Sequence, residues 1–435
     1  MPGDIAFHRD AMLPAQAPPP GQTGWVRWAR DNLFSTWLSG VLTIGSVTLI
    51  VWIVASGGPW FWNGIWNANS LDECRQVRDA LYGPGASVAC WAFIPERWGQ
   101  LLFGFYPQGQ TWRPVAAVLL FLAAVAPVLF PNLPRKMLWL APVAPFLMFF
   151  LIWGGSIWAP VIVALGFVIG FAVTRVAQGL IGAAGGMLAG VAAALLFWYF
   201  AAGPLIEWLA ANVPFLSLQA VASRDIGGFT LSFVIGASGI VLSLPLGILL
   251  ALGRQSDMFI INKCSVAFIE VIRGVPLIVW LFTASLLLNY FLPPGTTFDL
   301  MLRVIIMVTL FSSAYIAEIV RGGLAALPAG QYEAANALGM DYWRAMRLII
   351  LPQALKVSIP GIVGSFIGLF KDTTLVSFVG MFDPINLTAT IRASPEWHGI
   401  FSEMYFFIGA IFFVICYAMS RYAQSLERKL RRGHR

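Results

Sequence analysis

The chain has 435 residues, of which 59% are hydrophobic and 11% are charged, and its mean hydropathy is +0.78. Soluble globular proteins carry about 25% charged residues, so this composition excludes that class and indicates a polytopic membrane protein in contact with lipid. The net charge of +7 does not indicate nucleic-acid binding, because basic residues at the ends of membrane spans give the same excess.

Cysteine and histidine usage provides no metal or redox motif. The chain has four cysteines and three histidines, and neither Cys-x-x-Cys nor His-Glu-x-x-His occurs. No lysine follows a glycine, so the phosphate-binding P-loop is missing as well. We therefore expect no metal, no bound cofactor and no catalytic residues in this chain. Any ATP that drives it must be bound by another chain.

The N-terminal part is predicted to contain a cytoplasmic tail, one span and a long periplasmic loop. Residues 1–37 are polar and Pro-rich, without the apolar core and cleavage site of a secretory signal. The first span covers about 38–55, and a Trp-rich polar loop follows at about 57–113, with aromatic residues that suit a membrane interface. Cys74 and Cys90 lie in this loop. In an oxidising periplasm we expect them to form a disulfide; a pair of free thiols is the alternative.

Nine further spans are predicted. Four of them complete an N-terminal membrane region, 38–202, and lie at about 114–131, 137–153, 157–174 and 180–202. The last of these has Gly182, Gly186 and Gly190 at every fourth position, which lets another helix approach closely. A periplasmic connection follows at 203–227. Five spans then lie at about 228–253, 266–292, 301–320, 355–379 and 403–421, and a basic cytoplasmic tail follows at 426–435.

The distribution of basic residues orients these ten spans. An even number of spans places both termini on the same side of the membrane. With this topology, 18 Lys and Arg lie on the side of the termini and 7 on the opposite side, while Arg273 and Lys371 fall within spans. Cytoplasmic loops are enriched in basic residues. We therefore predict that both termini, and a long polar loop at about 322–354, face the cytoplasm of a bacterial inner membrane.

The 322–354 loop is predicted to form two short helices. Its first half is rich in strong helix formers, and Gly339 can end that helix in the left-handed conformation that glycine adopts without penalty. Asp341 can begin a second helix by accepting an amide hydrogen two or three residues later. We expect Pro352 to kink or close this second helix. The product would be two helices and a sharp turn at the cytoplasmic membrane surface.

The spacing in this loop resembles the Glu-Ala-Ala loop of ABC-importer permeases. That pattern has Glu-Ala-Ala, three residues, Gly, nine residues, Ile, one residue, Leu and Pro. This chain fills every position, with Glu333, Ala334, Ala335, Gly339, Ile349, Leu351 and Pro352. The resemblance implies that these residues and Asp341 form a coupling helix, which docks on a cytoplasmic ATPase and transmits its closure to the membrane helices. An ordinary interfacial amphipathic hairpin is the alternative.

Two pairs of ionisable residues lie near the cytoplasmic ends of predicted spans. Glu270 and Arg273 are three residues apart beside a glycine–proline break, and Glu318 and Arg321 repeat this spacing. At that spacing a glutamate and an arginine can form an ion pair on one helix face. Ionisable side chains inside spans are costly and are candidate functional residues by default. Each pair is therefore either a structural pair beside a gate or a part of the substrate path.

Lys371, Asp372, Thr373 and Thr374 form a polar group deep in a predicted span. They lie about sixteen residues into it, roughly 24 Å along the helix and in the periplasmic half of a roughly 30 Å core. An amino-acid zwitterion needs an acceptor for its ammonium group and donors for its carboxylate, which these side chains could supply. The alternative is an ion pair that holds two subunits together.

The segments around these residues resemble the amino-acid branch of ABC permeases, whose members carry similar Glu-x-x-Arg-Gly-x-Pro-Leu, Glu-x-x-Arg-Gly-Gly and Lys-Asp-Thr-x-Leu segments. The resemblance covers about 228–425. It implies an all-α polytopic fold of about ten transmembrane helices, whose last five form a type I ABC-importer permease core.

The additional N-terminal spans and the Trp-rich loop, with Leu71-Asp72-Glu73-Cys74-Arg75, look similar to the M-type permease subunit of bacterial general L-amino-acid uptake systems. That similarity implies broad specificity for L-amino acids. It also implies a related but distinct permease partner, two copies of an ATPase that binds ATP and Mg, and a periplasmic amino-acid-binding protein.

These features together predict the permease subunit of an ATP-driven L-amino-acid importer. An ion-coupled secondary transporter is the main alternative, with Asp372 as a coupling site and the 322–354 loop as a linker. A membrane-embedded enzyme has little support, since no His, Cys or carboxylate constellation occurs at depth in the predicted spans. Co-purification of an ATPase with the chain would distinguish the importer from the secondary transporter.

Overall fold

The computed structural model describes residues 24–130, 132–287, 290 and 299–432. The chain divides into two compact units, Met1–Ala92 and Phe93–Arg435. Most of the predicted N-terminal tail, the end of the predicted span 266–292 and the last three residues of the predicted C-terminal tail lie outside the described residues.

The first unit contains the first predicted span and two shorter helices. These are α1 (Trp25–Leu33), α2 (Trp37–Trp62) and α3 (Leu71–Tyr82). The Thr36 side chain begins α2 by accepting the amide hydrogen of Ser39 at 3.1 Å. α2 has 26 residues and is apolar enough to cross a membrane. It continues past the predicted end at residue 55, because an unbroken helix satisfies its backbone polar groups in lipid.

A disulfide and an aromatic cluster organise the segment after α2. Cys74, in α3, is bonded to Cys90, and their Cα atoms are 6.0 Å apart. The indole N–H of Trp91 donates to the carbonyl of Phe61 at 3.1 Å. The Trp91 ring also meets the rings of Trp60 and Phe61 edge-on. This part of the predicted polar loop is therefore a folded segment with its own buried contacts.

The second unit begins with helices and one small sheet. The helices are α4 (Phe93–Phe103), α5 (Trp112–Leu129), α6 (Leu140–Trp153), α7 (Trp158–Leu196) and α8 (Gly203–Asn212). Strands β1 (Gly155–Ser156) and β2 (Ser217–Leu218) pair antiparallel, with Gly155 opposite Leu218. A π-helical turn joins α7 to α8, so the predicted connection 203–227 begins as helix.

α7 is broken in the middle and forms two candidate spans. The backbone leaves the helical conformation at Ile181 and Gly182, and the two candidate spans are Trp158–Gly182 and Gly185–Asn212. The expectation that Gly182 belongs to a packing face is therefore wrong, because it lies at the break. A Cβ on Gly190 would meet Thr174 on the facing half of α7, so the two halves of α7 do approach closely at this glycine.

The remaining helices follow a long connection. They are α9 (Gly228–Arg254), α10 (Phe259–Gly274), α11 (Leu277–Phe282), α12 (Leu300–Ala325), α13 (Ala329–Ala337), α14 (Tyr342–Ala345), α15 (Leu351–Asp372), α16 (Pro384–Arg392) and α17 (Ser402–Arg432). α10 and α11 meet at 102°, because Pro276 lacks an amide hydrogen and Val275 before it is extended. The predicted span 266–292 is therefore not one straight helix.

The number of membrane-crossing elements agrees with the sequence-based expectation. Among the described residues, eight helices are long and apolar enough to cross a membrane, and the α10–α11 pair adds a ninth. The shorter apolar helix Trp112–Pro127 covers another predicted span. An all-α polytopic fold with about ten transmembrane helices is thus confirmed.

Two apolar clusters hold the later helices together. One joins α9, α12 and α15 and contains Leu231, Ile235, Val304, Val308 and Leu369. The other lies beside the loop that follows α12, and contains Ala251, Ile269, Ile316, Val320 and Ala354. The loop is therefore attached to a packed part of the bundle.

The thiol state of the first unit gives a test of its fold. With Cys264 and Cys416 replaced by serine, we expect Cys74 and Cys90 to resist a membrane-impermeant maleimide until a reductant is added, because their sulfurs are bonded. Labelling is read by mass shift on a gel. Modification of both cysteines before reduction would contradict the bond.

Candidate functional site

Gly339 ends the first helix of the loop with two hydrogen bonds. α13 ends at Ala337, and Gly339 has a φ of +69°. The amide of Gly339 donates to the carbonyl of Asn336 at 2.9 Å, and the amide of Met340 donates to that of Ala335 at 3.1 Å. This pair of bonds is a Schellman motif. Because a Cβ is strained at positive φ, glycine lets the chain reverse here at low cost.

Asp341 caps the second arm of the loop. Its Oδ1 accepts the amide hydrogen of Arg344 at 3.0 Å. α14 then continues through a π-helical turn, Met346–Ile350, into α15. Pro352 lies in the first turn of α15, so of the two predicted effects, a kink or an end of the second helix, the second is wrong. The π turn and the position of Pro352 in the first turn of α15 both accommodate the amide hydrogen that proline lacks. The result is one candidate span, Tyr342–Val379.

One face of the loop packs against the membrane helices. Ala335 is 1% exposed, and Met346 and Ile350 belong to the apolar cluster that contains Ile316 of α12. Burial raises the pKa of the Tyr332 hydroxyl. The side-chain amide of Gln353 donates to the side-chain oxygen of Gln331 at 3.0 Å, which ties the two arms together. The loop residues in or against the cluster are Tyr332, Met346, Ile349, Ile350 and Leu351.

The loop also has exposed side chains, both apolar and charged. Leu338 is 76% and Trp343 is 67% exposed, and Glu333, Ala334 and Gly339 are exposed as well. We call these five residues the exposed face of the loop. Large apolar side chains grouped on a surface mark an interaction site. The residues matched by spacing therefore divide between a face that packs on the bundle and a face open to a partner.

Five charged side chains join the ends of α9, α10 and α12 close to the loop. Arg254 Nη1 lies 2.9 Å from Glu270 Oε1 and 3.3 Å from Glu318 Oε2. Arg321 Nη2 lies 2.5 Å from Glu318 Oε1, as the spacing predicts, and Arg273 Nη1 lies 3.9 Å from Glu318 Oε2. Glu318 is therefore shared by three arginines. We call these five residues the charged cluster.

Glu270 pairs with Arg254 rather than with Arg273, which corrects the prediction from spacing. The end of α9 packs on the first half of α10, since a Cβ on Gly253 would meet Ser265, and the Arg254 side chain reaches from there to Glu270. The Arg273 guanidinium lies in the last turn of α10 and meets α12 instead, 5.3 Å from the ring centroid of Tyr315 and within reach of Glu318. Packing between helices thus decides the pairing.

Lys371, Asp372, Thr373 and Thr374 lie where α15 ends. α15 has 22 residues, so this group is about 33 Å along the helix from the loop. The Thr373 hydroxyl donates to the carbonyl of Phe370 at 2.7 Å, and the Thr374 hydroxyl donates to that of Lys371 at 2.9 Å. Both hydroxyls are thus used as donors within the helix. The exposed Lys371 ammonium and the half-buried Asp372 carboxylate carry the charge of the group.

The structure divides the residues predicted for a substrate path into two groups. Glu270 and Glu318 belong to the charged cluster beside the loop, whereas Lys371 and Asp372 lie at the far end of α15. Sequence reasoning missed the central role of Arg254. A basic residue at the end of a span is expected from topology alone, so its contact with two glutamates on other helices could be found only from the packing.

A family model matches residues 243–432, and the family is described as the binding-protein-dependent transport system inner membrane component. The matched range contains the loop, the charged cluster and the polar group at the end of α15. It leaves the N-terminal half of the chain unmatched.

Relatives match either nearly the whole chain or about half of it. The glutamate/glutamine/aspartate/asparagine transport system permease protein of Rhodobacter capsulatus is 54% identical over 435 residues, covering 99% of this chain and 100% of that protein. An inner membrane amino-acid ABC transporter permease protein of Escherichia coli K12 is 38% identical over 407 residues, covering 93% of each. The glutamate/aspartate import permease protein of Escherichia coli O6:H1 is 32% identical over 208 residues, covering 46% of this chain and 91% of that protein.

The charged cluster predicts unequal effects for its two glutamates. Glu318→Gln removes the carboxylate shared by three arginines, of which only Arg254 also pairs with Glu270, and Glu318 is only 25% exposed. We expect the free energy of unfolding to fall by on the order of 1–2 kcal/mol. Glu270→Gln is the matched control, since Glu270 is 55% exposed and pairs with one arginine. This control variant should lose less stability than Glu318→Gln. Thermal unfolding in one detergent at one scan rate compares them, and equal shifts would contradict the central position of Glu318.

Proposed function

Because the chain belongs to the binding-protein-dependent transport system inner membrane components, as a permease subunit of an amino-acid ABC importer, we propose that it imports acidic amino acids and their amides. It is a multi-pass inner-membrane transport subunit and not an enzyme, and ATP hydrolysis takes place on a separate chain. The comparisons give no support to an ion-coupled secondary transporter. The proposed substrate class is supported by the full-length relative from Rhodobacter capsulatus, which is 54% identical.

The observation that carries the coupling role is that the loop has one face packed on the bundle and another face exposed. We infer that the ATPase, with its ATP and Mg, docks on the exposed face, where Glu333 and Trp343 would contact it. A push on that face is transmitted through Met346, Ile350 and their apolar cluster to α9, α10 and α12. Two further features determine where the movement goes.

The first feature is the charged cluster. It links α9, α10 and α12 through Glu318 and Arg254, so these three helix ends respond to the loop together. The second feature is the continuity of the loop with α15. α14, the π turn and α15 form one helical element, so a displacement of the loop also moves the polar group at the other end of α15.

The chemistry at the far end of α15 suits the proposed substrates. Lys371 offers an ammonium group to a carboxylate, and Asp372 offers a carboxylate to the substrate ammonium group. Glutamate and aspartate carry a second carboxylate, and their amides keep the same shape without that charge. We therefore place Lys371 and Asp372 on the substrate path, with the Thr373 and Thr374 oxygens as additional acceptors.

The partners follow from the same proposal. A periplasmic binding protein delivers the amino acid, two ATPase copies dock in the cytoplasm, and a second, related permease subunit completes the path. Both termini of this chain and its loop face the cytoplasm, which agrees with the excess of Lys and Arg on that side. Affinity purification in mild detergent, followed by mass spectrometry, tests this set of subunits.

Uptake of labelled glutamate tests the substrate class and the path together. In proteoliposomes with the whole complex, we expect aspartate, glutamine and asparagine to inhibit uptake and arginine not to inhibit it. Lys371→Met and Asp372→Asn should each reduce uptake at least tenfold with unchanged subunit stoichiometry. Equal inhibition by arginine would contradict the substrate class. Loss of the complex on purification of both variants would instead favour an ion pair between subunits.

The turn at Gly339 gives a test of coupling with matched controls. Gly339→Val places a β-branched residue at a φ of +69°, which costs about 1–2 kcal/mol or more, so the loop should lose its shape. Gly339→Asn should keep most activity, because asparagine tolerates this conformation. Gly330→Val is the second control: Gly330 lies in the first turn of the helix that Gly339 ends, has no clash and no positive φ, and the change should have little effect.

ATPase activity and uptake in proteoliposomes are the measurements for this series. We expect Gly339→Val to reach the membrane normally, because no span changes, and to lose binding-protein-stimulated ATPase activity and uptake. If Gly339→Val and Gly330→Val behave alike, the left-handed turn has no part in coupling.

A further inference from the structure

The helix before the first span has one apolar face and one charged face. α1 reads Trp-Val-Arg-Trp-Ala-Arg-Asp-Asn-Leu. At about 100° per residue, its apolar residues fall within about 160° of the circumference. They are Trp25, Val26, Trp28, Ala29 and Leu33. Arg27, Arg30 and Asp31 occupy the opposite side. Asn32, a polar residue within the apolar arc, donates its side-chain amide to the carbonyl of Trp28 at 2.8 Å.

Two contacts hold the end of α1 beside the first turns of α2. The hydroxyl of Thr43 donates to the carbonyl of Leu33 at 2.8 Å, and the ring of Phe34 packs over Gly40. Thr43 is about 9 Å along α2 from its first residue. The end of α1 therefore lies beside the first two turns of α2. Since α2 is a membrane-spanning helix, this end of α1 lies at the depth where α2 enters the bilayer.

The apolar face of α1 has little cover from the described residues of its own unit, 24–92. The side chains of Trp25, Val26 and Trp28 are 83%, 70% and 51% exposed, and no residue of α1 is buried. Tryptophan is enriched at membrane interfaces, where its ring meets lipid and its N–H meets water. A face of this kind at this depth is adjacent to lipid rather than to bulk water.

We propose that α1 is an in-plane membrane anchor. Its apolar face inserts between the lipids of the leaflet that α2 enters, and its charged face lies among the headgroups. Two arginines and one aspartate give α1 a net positive charge, which favours anionic headgroups. The Arg27–Asp31 pair is 3.2 Å apart with both side chains more than half exposed, so the arginines point to the water side.

The proposal is independent of the transported substrate, because it rests on the geometry of α1 and α2. It assigns a role to part of the N-terminal region that lies outside the range of the family model, 243–432. The anchor fixes the angle at which the first span leaves the membrane surface.

Spin labels on single cysteines test the position of α1. The background replaces Cys264 and Cys416 by serine and keeps the Cys74–Cys90 bond. Labels are placed on Val26→Cys, Trp28→Cys, Arg27→Cys and Asp31→Cys, in the whole complex in nanodiscs that contain phosphatidylglycerol. Collision rates with oxygen and with a water-soluble nickel chelate are measured for each label. Uptake by each variant in proteoliposomes checks that it is folded.

Two further labels calibrate the measurement within the same unit. Ile50→Cys lies in the middle of α2 and reports lipid, and Gln76→Cys lies on the exposed side of α3 and reports water. We expect the ratio of oxygen to nickel collisions at Val26 and Trp28 to approach that at Ile50. The ratio at Arg27 and Asp31 should be several-fold lower and should approach that at Gln76.

Other outcomes overturn the proposal. Equal ratios at all four α1 positions, close to that at Gln76, would mean that α1 lies in water. Exclusion of both reagents from Val26 and Trp28 would mean that a protein covers this face.

The headgroup contribution has its own test. Replacing phosphatidylglycerol by phosphatidylcholine, or introducing Arg27→Gln with Arg30→Gln, should lower the oxygen-to-nickel ratio at the Trp28 label about twofold or more. An unchanged ratio in both experiments would overturn the part of the proposal that assigns the arginines to anionic headgroups.

Discussion

In a bilayer, backbone polar groups must be satisfied within the chain, because no water is available to them. The α10–α11 bend shows how this is done. At the break before Pro276, the indole N–H of Trp280 donates to the carbonyl of Ile272 at 3.2 Å. In the π turn that follows, Arg303 donates to the carbonyl of Ser285 at 2.8 Å. Irregular backbone is thus allowed where a side chain from the bundle replaces the lost partner.

The same constraint explains how the N-terminal helices of the second unit attach to the later ones. The buried Arg113 donates to the carbonyls of Leu151 at 2.6 Å and Gln219 at 2.8 Å. At other helix ends, Thr230 donates to the carbonyl of Leu102 and Tyr422 to that of Leu129, both at 2.9 Å. These contacts satisfy carbonyls at helix ends, as buried polar groups require. The additional helices therefore extend the packed bundle of the part that the family model matches.

The loop could be predicted because its turn and cap depend on residues close together in the sequence. The charged cluster could not, because its ion pairs join residues that are far apart in the sequence. Gly339 and Asp341 act within a few residues of themselves, so spacing and residue type were sufficient to predict the turn and the cap. Glu270 could pair with either of two arginines, Arg254 or Arg273. Its pairing with Arg254 depends on how α9 and α10 cross. The bend at Pro276 was visible in the sequence as a break, but its angle depends on packing against α12.

The composition of the charged cluster suits a joint that must move. An apolar contact between α9, α10 and α12 would have one tightly packed arrangement. Three arginines and two glutamates allow several arrangements, because either carboxylate can exchange one guanidinium for another and remain paired. A carboxylate left unpaired would be costly. Exposed fractions of 25% to 55% for the two glutamates let water assist each exchange. The cluster can therefore keep the three helix ends linked while α10 shifts relative to α12, as the proposed coupling role of the loop requires.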